Sequence, residues 1–435
     1  MSGKASSAEL ERAWLEATFD RLWPLPRSLT GPGVRETHDV LAETMPLERF
    51  EVASGTPAYD WTVPLEWRVN SAYVVGPDGA RVVDYADSNL HLLGYSVAFR
   101  GRLSRSELDA HLYSLPNRPD AVPYATSYYA PRWGFCLSQR QRDALPEGDY
   151  EVVVDTETFP GALTLSECLL PGTSGREVLV STYTCHPSLA NNELSGPLVA
   201  AGLYARLAKW PPRRLGFRFV FAPETIGAIV YLSMRGQHLL ERLDAGYVLT
   251  CLGDRAALTC KRSRRGDSLA DRAAAAALPA FGEVRWRDFS PMGSDERQYC
   301  SPGFDLPVGS VMRSMYGTYP EYHTSEDNKE FISIAALQAS IDACEALCLT
   351  LEQGGARYRS LAPFGEPQLG RRGLYPDLTV GASNVGAADA IFWVLNFADG
   401  DHDLLAVHER SGVALDALHD AAQRCLAAGL LELVD

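Results

Sequence analysis

Two histidines and one glutamate stand in local contexts that are typical of a hydrolytic metal site. His186 follows an apolar stretch over residues 178–185, and Glu224 follows a second one over residues 217–223. His323 lies farther along the chain among polar and acidic residues. Zinc prefers histidine nitrogen and carboxylate oxygen, and a catalytic zinc keeps one position open for water. If the three side chains meet, the histidines would hold a metal and the glutamate would accept a proton from its water.

Each of these residues also has an ordinary structural explanation. A histidine at the end of a strand is often a hydrogen-bonded core residue. Glu224 could cap the helix that is predicted to begin near Ile226. Cys185, next to His186, is interpreted as a small buried residue at a strand end. The metal-site hypothesis therefore depends on the convergence of residues that are far apart in sequence.

The surrounding pattern predicts an α/β fold, with a parallel-rich sheet and helices on both of its faces. From Glu177 to about Leu351, apolar strands alternate with helical stretches. Ligands of such sheets gather beyond the carboxyl ends of the strands, where His186 and Glu224 both fall. The predicted strands cover 177–184, 216–222, 246–252, 283–288 and 306–312, and the predicted helices cover 196–209, 226–243, 267–278 and 333–351.

Two further units are predicted around this α/β domain. Residues 55–160 are dense in tryptophan, tyrosine and proline, with short strands between turn residues. They predict a β-rich domain that is inserted between residues 1–54 and 161–360, which together form the α/β domain. Residues 366–435 predict a winged-helix-like domain, with helices at 387–397, 402–410 and 414–428 and a terminal strand.

Composition limits the classes of partner and compartment. A chain of 435 residues is long enough for two or three folding units. The net charge of −15 argues against nucleic acid, and residues 385–435 hold nine acidic residues against Arg410 and Arg424. Nine cysteines without a CxxC pair favour reduced thiols and a cytoplasmic location. No secretory leader and no membrane partner are expected, and a homo-oligomer is left open.

The order and local sequence of these motifs resemble the zinc aminopeptidase family often called M28. The segments that show this are 186–196, 223–227, 293–295 and 322–327. Further motifs at 60–67, 88–91 and 133–136, together with the C-terminal winged helix, resemble a divergent branch of that family. This branch consists of aminopeptidase-like proteins from polysaccharide and natural-product gene clusters. The resemblance covers nearly the whole chain and implies the same α/β fold.

The resemblance implies roles for single residues. The first zinc-binding histidine of the family corresponds to His186, the general base to Glu224 and the last histidine to His323. Asp295 falls where the family has an aspartate close to the substrate, so it is expected to orient the substrate during catalysis.

Three of the five ligands of the family's two-zinc site are altered in this chain. The metal-bridging aspartate corresponds to Asn192, the glutamate ligand beside the base to Thr225, and a further aspartate ligand to Thr250. Amide and hydroxyl oxygens are poor ligands for a dication compared with carboxylates. A single zinc ion is therefore expected rather than two.

The predicted site for that ion contains both histidines and one oxygen donor. His186 and His323 supply the nitrogens, and Asn192, Glu193 and Asp295 are the alternatives for the oxygen. Glu193 could instead be an acidic residue in the first turn of the following helix.

Three further side chains are candidates for substrate contact. Arg264 lies in the basic stretch 261–265, which could bind an anionic group of the substrate or form a solvated loop. Arg297 is a second candidate for binding a carboxylate, and Tyr322 adjoins His323.

The leading hypothesis is a metal-dependent amide-bond hydrolase, aminopeptidase-like or deacylase-like. Its substrate would be a small peptide, an N-acyl sugar or a natural-product intermediate. The alternative is a non-catalytic pseudoenzyme that binds a small ligand or a partner in the same cleft, since acidic metal ligands are missing. A DNA-binding protein built on the winged helix is disfavoured by charge.

Overall fold

The framework of the molecule is an eight-stranded mixed sheet, seen in a computed structural model that describes residues 6–374 and 385–434. Its four central strands are parallel and lie in the order Gly216–Ala222, Glu177–Tyr183, Leu243–Leu249 and Val308–Met312. Nearly every residue in them is buried, which explains their continuous apolar sequences. The predicted parallel α/β core is confirmed.

The outer strands make the sheet mixed. On one side, Ala162–Leu170 and then Glu48–Ala53 pair antiparallel. On the other side, Leu258–Lys261 runs antiparallel to the central strands, and Val284–Arg287 is parallel to it. Two of these strands, 162–170 and 258–261, were not predicted because buried polar residues interrupt their apolar pattern. One such residue is Glu167, whose carboxylate is paired with the Arg218 guanidinium at 2.7 Å.

Helices cover both faces of the sheet. One face packs against Ser7–Leu22, Pro32–Ala42, Ser195–Leu207, Leu269–Ala277 and Ile334–Gly354. The other packs against Ile226–Arg242 and the short helix Glu296–Tyr299. Among the described residues, Ile334–Gly354 alone is long and apolar enough to cross a membrane by length and composition, and half of its most apolar window is buried within the protein.

The segment after Ala53 forms its own sheet. Its four strands are all antiparallel and lie in the order Arg81–Asp84, Glu66–Val75, Asp149–Phe159 and Phe99–Ser104. The smaller elements are the strand pairs Pro57–Ala58 with Trp61–Thr62 and Leu112–Tyr113 with Phe135–Cys136, and the short helices Asn89–His91, Arg105–Asp109 and Gln139–Asp143. The chain then returns to the large sheet at Ala162.

The C-terminal unit combines three helices with a three-stranded antiparallel sheet. The helices are Val385–Asn396, Leu404–Ser411 and Leu415–Ala427, and the strands lie in the order Asp399–Asp403, Arg357–Ser360 and Leu431–Val434. Its sheet therefore begins at Arg357, upstream of residue 366, where the sequence predicted this unit to start. Residues 375–384 of the predicted unit lie outside the described residues, as do residues 1–5 and 435.

Candidate active site

A cavity of about 440 Å³ opens at the carboxyl edge of the parallel strands. His186 follows the strand Glu177–Tyr183, and Glu224 follows the strand Gly216–Ala222. Both line the cavity, and the loop that contains His323 brings a second imidazole to it. The three residues on which the metal-site hypothesis depends are thus close together.

The two imidazoles are spaced as ligands of one ion would be. Their ring centroids are 5.3 Å apart. Two imidazole nitrogens at ~2.0–2.1 Å from one tetrahedral zinc would hold the ring centroids roughly 5 Å apart. The Nε2 atom of His323 is buried and has no hydrogen-bond partner within the described part of the chain. The Nε2 atom of His186 lies 3.8 Å from Glu224 Oε2. These residues fit a single cation.

The charge around the histidines also suits a cation. Burial and the neighbouring His186 lower the pKa of His323 to about 3, so its ring is neutral and has a free lone pair near pH 7. Burial lowers the pKa of His186, but Cys185 and Glu193 raise it by more, so the net shift is upward. An environment that stabilises an imidazolium also stabilises a bound metal ion.

Glu193 bonds the other ring nitrogen of His186. The Nδ1 atom of His186 is 2.8 Å from Glu193 Oε2, and Glu193 is fully buried. Arg27, also fully buried, donates from Nε to the carbonyl oxygen of His186 at 2.9 Å and lies 3.8 Å from Glu193 Oε1. A carboxylate in this position fixes the tautomer and orientation of a metal-binding histidine. Sequence reasoning missed Arg27, which has no metal-site pattern around it.

A second group of donor atoms lies on the Nδ1 side of His186. Ligand atoms of Cys185, His186 and Glu193 are within 4.8 Å of one another. Burial raises the pKa of the Cys185 thiol to about 11, so a metal ion would bind it only by displacing the thiol proton. The Nδ1 atom is also engaged by Glu193 at hydrogen-bond distance. The cavity side, with Nε2 of His186 and His323, is therefore the better position for an ion.

Glu224 is held in place at the cavity. Ser294 Oγ donates to Glu224 Oε1 at 2.9 Å, and the Glu224 backbone N–H donates to Cys185 Sγ at 3.2 Å. Burial raises the pKa of Glu224, while the charge of His186 and the Ser294 hydrogen bond oppose the shift. A carboxylate with a raised pKa next to the proposed ion is suited to accept a proton from water.

Asp295 and Arg297 support the turn that follows Glu224 rather than line the cavity. Asp295 Oδ1 accepts the backbone N–H of Thr225 at 2.7 Å, and Arg297 Nη2 donates to Thr225 Oγ1 at 3.0 Å. Burial and the charge of Glu224 raise the pKa of Asp295 well above the ordinary aspartate range. Thr225 has φ 64°, a strained conformation for a β-branched residue. These two side chains therefore fix the backbone next to the proposed base.

Asn192 and Thr250, which the sequence resemblance matched to acidic ligands of the M28 family, are linked through one tyrosine. The Tyr183 hydroxyl is 2.5 Å from Thr250 Oγ1 and donates to Asn192 Oδ1 at 3.4 Å. Asn192 lies in one turn of π-helix, Ala190–Leu194, whose backbone N–H groups are capped by the Asp327 carboxylate. Such turns are frequent at functional sites. Asn192 is buried and is not part of the cavity lining.

The remaining predicted substrate contacts lie outside the cavity lining. Arg264 pairs with Asp305 at 3.0 Å on an exposed surface, so the structure does not bring it to the site. The ring of Tyr322 stacks on His323 with centroids 3.9 Å apart, so it contacts a proposed metal ligand.

The β-rich segment provides an aromatic wall of the cavity, formed by Trp61, Tyr124, Tyr128 and Tyr129. The Tyr124 ring centroid is 5.0 Å from that of His186 and 5.2 Å from that of His323. The Tyr124 backbone N–H also donates to the His323 carbonyl oxygen at 2.7 Å. Because His323 has φ 56°, this contact helps hold a backbone conformation that is rare outside glycine.

Two family models match this chain. Residues 16–354 match the model described as a domain of unknown function, DUF4910, and residues 356–433 match a winged helix-turn-helix model. A Clostridium acetobutylicum protein, provisionally named a polysaccharide biosynthesis protein with an aminopeptidase-like domain, is 41% identical over 417 residues. That alignment covers 96% of this chain and 95% of the relative. The chain belongs to this aminopeptidase-like DUF4910 family.

Solved structures show the same fold. A Clostridium acetobutylicum crystal structure, provisionally described as a peptidase, has a TM-score of 0.88 at 40% identity and covers 98% of this chain and 97% of its own. BSAP, a zinc aminopeptidase from Bacillus subtilis, has a TM-score of 0.57 at 15% identity and covers 78% of this chain and 94% of its own. An M28 peptidase precursor from Shewanella amazonensis SB2B has a TM-score of 0.55 at 12% identity and covers 79% of this chain and 93% of its own. The fold of the M28 peptidases and the C-terminal winged helix are thereby confirmed.

Proposed function

We propose that this protein is a metal-dependent amide-bond hydrolase, aminopeptidase-like or deacylase-like, that uses one zinc ion. The observation that supports this best is the meeting of His186, His323 and Glu224 in one cavity. A zinc ion bound there would lower the pKa of its water to ~7 and polarise the amide carbonyl.

Each residue around the cavity has a separate role in the proposed reaction. His186 and His323 would hold the ion through their Nε2 atoms. Glu193 keeps the Nδ1 proton of His186 in place, so that Nε2 is the free donor. Glu224 accepts the proton of the attacking water and returns it to the leaving amine. Asn192, Glu193 and Asp295, the oxygen donors expected from the sequence, lie outside the cavity lining, so water and substrate would complete the coordination.

The lining of the cavity favours a small substrate with an apolar or sugar-like body. Its volume is about 440 Å³, and its walls include Leu29, Trp61, Pro64 and Ile226. Glu224 is the sole charged carboxylate in that lining, and no arginine or lysine belongs to it among the described residues. A substrate amine is therefore better matched than a substrate carboxylate. We propose a short peptide, an N-acyl sugar or a natural-product intermediate, handled by a cytoplasmic enzyme without a nucleic-acid or membrane partner and able to form a homo-oligomer.

Hydrolysis assays on the full chain test this proposal. The zinc-loaded and chelator-treated protein would be assayed with aminoacyl anilides and with N-acetylated amino sugars. We expect turnover of at least one class, lost on chelation, restored by zinc and abolished in Glu224→Gln. Turnover that survives both chelation and Glu224→Gln would contradict the proposed mechanism.

A second function is favoured by the Asn192–Tyr183–Thr250 hydrogen bonds. These link positions that correspond to acidic ligands in the parent family, so Tyr183 bonds the two side-chain oxygens without a second ion, while Asn192 Nδ2 has no partner among the described residues. A protein of this kind could bind a small ligand in the cavity without hydrolysing it. Zinc-free protein that binds members of the same substrate panel without turnover would favour this alternative.

A further inference from the structure

A second cavity, of about 520 Å³, lies at the opposite edge of the large sheet. It borders the amino end of the strand Leu243–Leu249, with Leu243 and Asp244 in its lining, and the residue Pro307 before the strand Val308–Met312. The C-terminal unit closes its other side through Arg357, Asp403 and Val434. The cavity therefore lies between the α/β domain and the winged-helix domain, away from the proposed active site.

Arginine dominates the charge of this second cavity. Among the described residues, five guanidinium groups line it against two carboxylates, and they belong to Arg176, Arg214, Arg265, Arg272 and Arg357. This excess of positive charge occurs in a protein whose net charge is −15. Converging guanidinium groups match the geometry and charge of phosphoryl oxygens, which they bind through paired hydrogen bonds.

Ion pairs among the described residues account for only part of that positive charge. Arg176 pairs with Asp244 at 2.5 Å. Arg272 pairs with Asp403 at 2.7 Å and with Glu409 at 2.9 Å. Arg265 pairs with Asp305 at 3.2 Å. Carboxylates partly neutralise these three guanidinium groups, and an anion in the cavity would compete with those carboxylates for their N–H donors.

Two of the arginines have no carboxylate partner within the described residues. Arg214 donates from Nη2 to the Leu351 carbonyl oxygen at 3.2 Å, and its buried Nε has no hydrogen-bond partner there. Arg357 is exposed at the first position of its strand and forms no side-chain ion pair in that part of the chain. An orphaned buried N–H is unfavourable unless a ligand or water satisfies it. The cavity thus has free N–H donors and an excess of positive charge that can bind an anion.

We propose that this cavity is a binding site for the phosphoryl group of a small molecule. Its volume exceeds that of a single phosphate, which leaves space for the body of a phosphorylated metabolite. Because its walls come from both domains, an occupant would bridge them and stabilise their contact. The site is independent of the hydrolytic chemistry proposed above.

Calorimetric titration of the full chain with inorganic pyrophosphate tests this site. Sodium chloride at matched ionic strength is the blank, since non-specific charge effects follow ionic strength. We expect saturable binding near one equivalent and a matching rise in the melting temperature. Absence of saturable binding would overturn the proposal.

Two variants and a matched control locate the binding. Arg357→Gln should weaken pyrophosphate binding about tenfold or more, the loss expected for a hydrogen bond to a charged group. Arg359→Gln is the control, because Arg359 lies on the same strand but bonds Glu432 and is not part of the cavity. Asp244→Asn should tighten binding, since it removes a negative charge from the lining and frees Arg176.

Three results would contradict the assignment. One is equal weakening in Arg357→Gln and Arg359→Gln, which would indicate diffuse attraction to surface charge. Another is weaker binding in Asp244→Asn, with folding confirmed by its melting curve. The third is pyrophosphate binding that appears only after deletion of Asp435. That result would mean that carboxylates at the end of the chain neutralise the arginines of the cavity.

Discussion

The two ends of the central parallel strands carry opposite chemistry. At the carboxyl edge, a cavity is lined by two histidines, one carboxylate and aromatic rings. At the amino edge, a cavity of similar size is lined by five arginines and two aspartates. One sheet thus separates a site suited to a cation and an amine from a site suited to an anion.

Backbone strain distinguishes the two edges as well. Thr225 and His323, both in the lining of the carboxyl-edge cavity, have φ values of 64° and 56°. None of the described residues that line the amino-edge cavity has a positive φ. Strained backbone persists where surrounding contacts hold it and concentrates at functional sites. The contrast supports the proposal of a hydrolytic site at the carboxyl edge and a binding site at the amino edge.

Removal of the proposed base should have the largest effect. Glu224→Gln retains the size of the side chain but cannot accept a proton, so kcat should fall by about 10²–10⁴. Steady-state hydrolysis by the zinc-loaded protein measures this. Glu330→Gln is the control, because Glu330 is an exposed glutamate outside the cavity. An equal loss of kcat in both variants would contradict the assignment of Glu224 as the general base.

Loss of the Glu193 carboxylate, which is hydrogen-bonded to Nδ1 of His186, should weaken zinc binding. In Glu193→Gln the histidine loses its charged partner, and zinc affinity should fall about 10–100-fold in a competition assay with a chelator. The variant also leaves Arg27 as an uncompensated buried charge, which should cost about 3–5 kcal/mol of unfolding free energy.

A double variant separates these two effects of Glu193. Glu193→Gln with Arg27→Met should recover stability without recovering zinc affinity, because the buried charge is removed but the histidine partner is not restored. Recovery of both would mean that Glu193 acts on zinc only through protein stability. Complete loss of zinc in the single variant would instead make Glu193 a direct ligand.

The pH dependence of hydrolysis should reflect the burial of Glu224. Burial raises its pKa, and the base works only when it is deprotonated. Activity should therefore be lost as the pH falls through a value above the ordinary glutamate pKa of ~4.3. A profile of kcat/KM against pH measures this acid limb. A limb at or below the ordinary value would mean that the charge of the bound metal outweighs the effect of burial on Glu224.

The aromatic wall should affect substrate binding more than turnover. Trp61→Ala removes an indole from the cavity lining, so KM should rise about two- to tenfold with kcat nearly unchanged. Trp286→Ala is the matched control, because Trp286 lies on the outermost strand of the sheet. A fall in kcat without a change in KM would mean that Trp61 orients the reacting groups.

The smallest expected effect is that of a substitution in one cavity on the function of the other cavity. Arg357→Gln should leave kcat/KM unchanged, and Glu224→Gln should leave pyrophosphate affinity unchanged, each within about twofold. Ligands at sites without a shared conformational change do not alter each other's affinity. A larger reciprocal effect would show that the two cavities are coupled through the sheet.

The sequence contained enough information to predict the parallel core of the sheet and the proximity of His186, Glu224 and His323. The four parallel strands have continuous apolar patterns, and His186 and Glu224 directly follow two of them. The distance from His186 to His323 could not be predicted, because it depends on a loop that is held by the backbone of Tyr124. The placement of Asp295 under Thr225 likewise depends on a strained turn.

The second cavity could not be predicted from local sequence either. Its arginines come from separated segments of the chain, and each has an ordinary surface context when taken alone. Only the packing of the C-terminal unit against the amino edge brings Arg357 near Arg214. The basic stretch 261–265 contributes Arg265 to this cavity, whereas its neighbour Arg264 lies on the exposed surface.

Anomalous diffraction at the zinc edge tests the central claim most directly. Crystals of the full chain grown with zinc should show one anomalous peak between the imidazoles of His186 and His323, beside the Glu224 carboxylate. A peak elsewhere, or none at full zinc loading of the solution, would contradict a hydrolase built on these three residues.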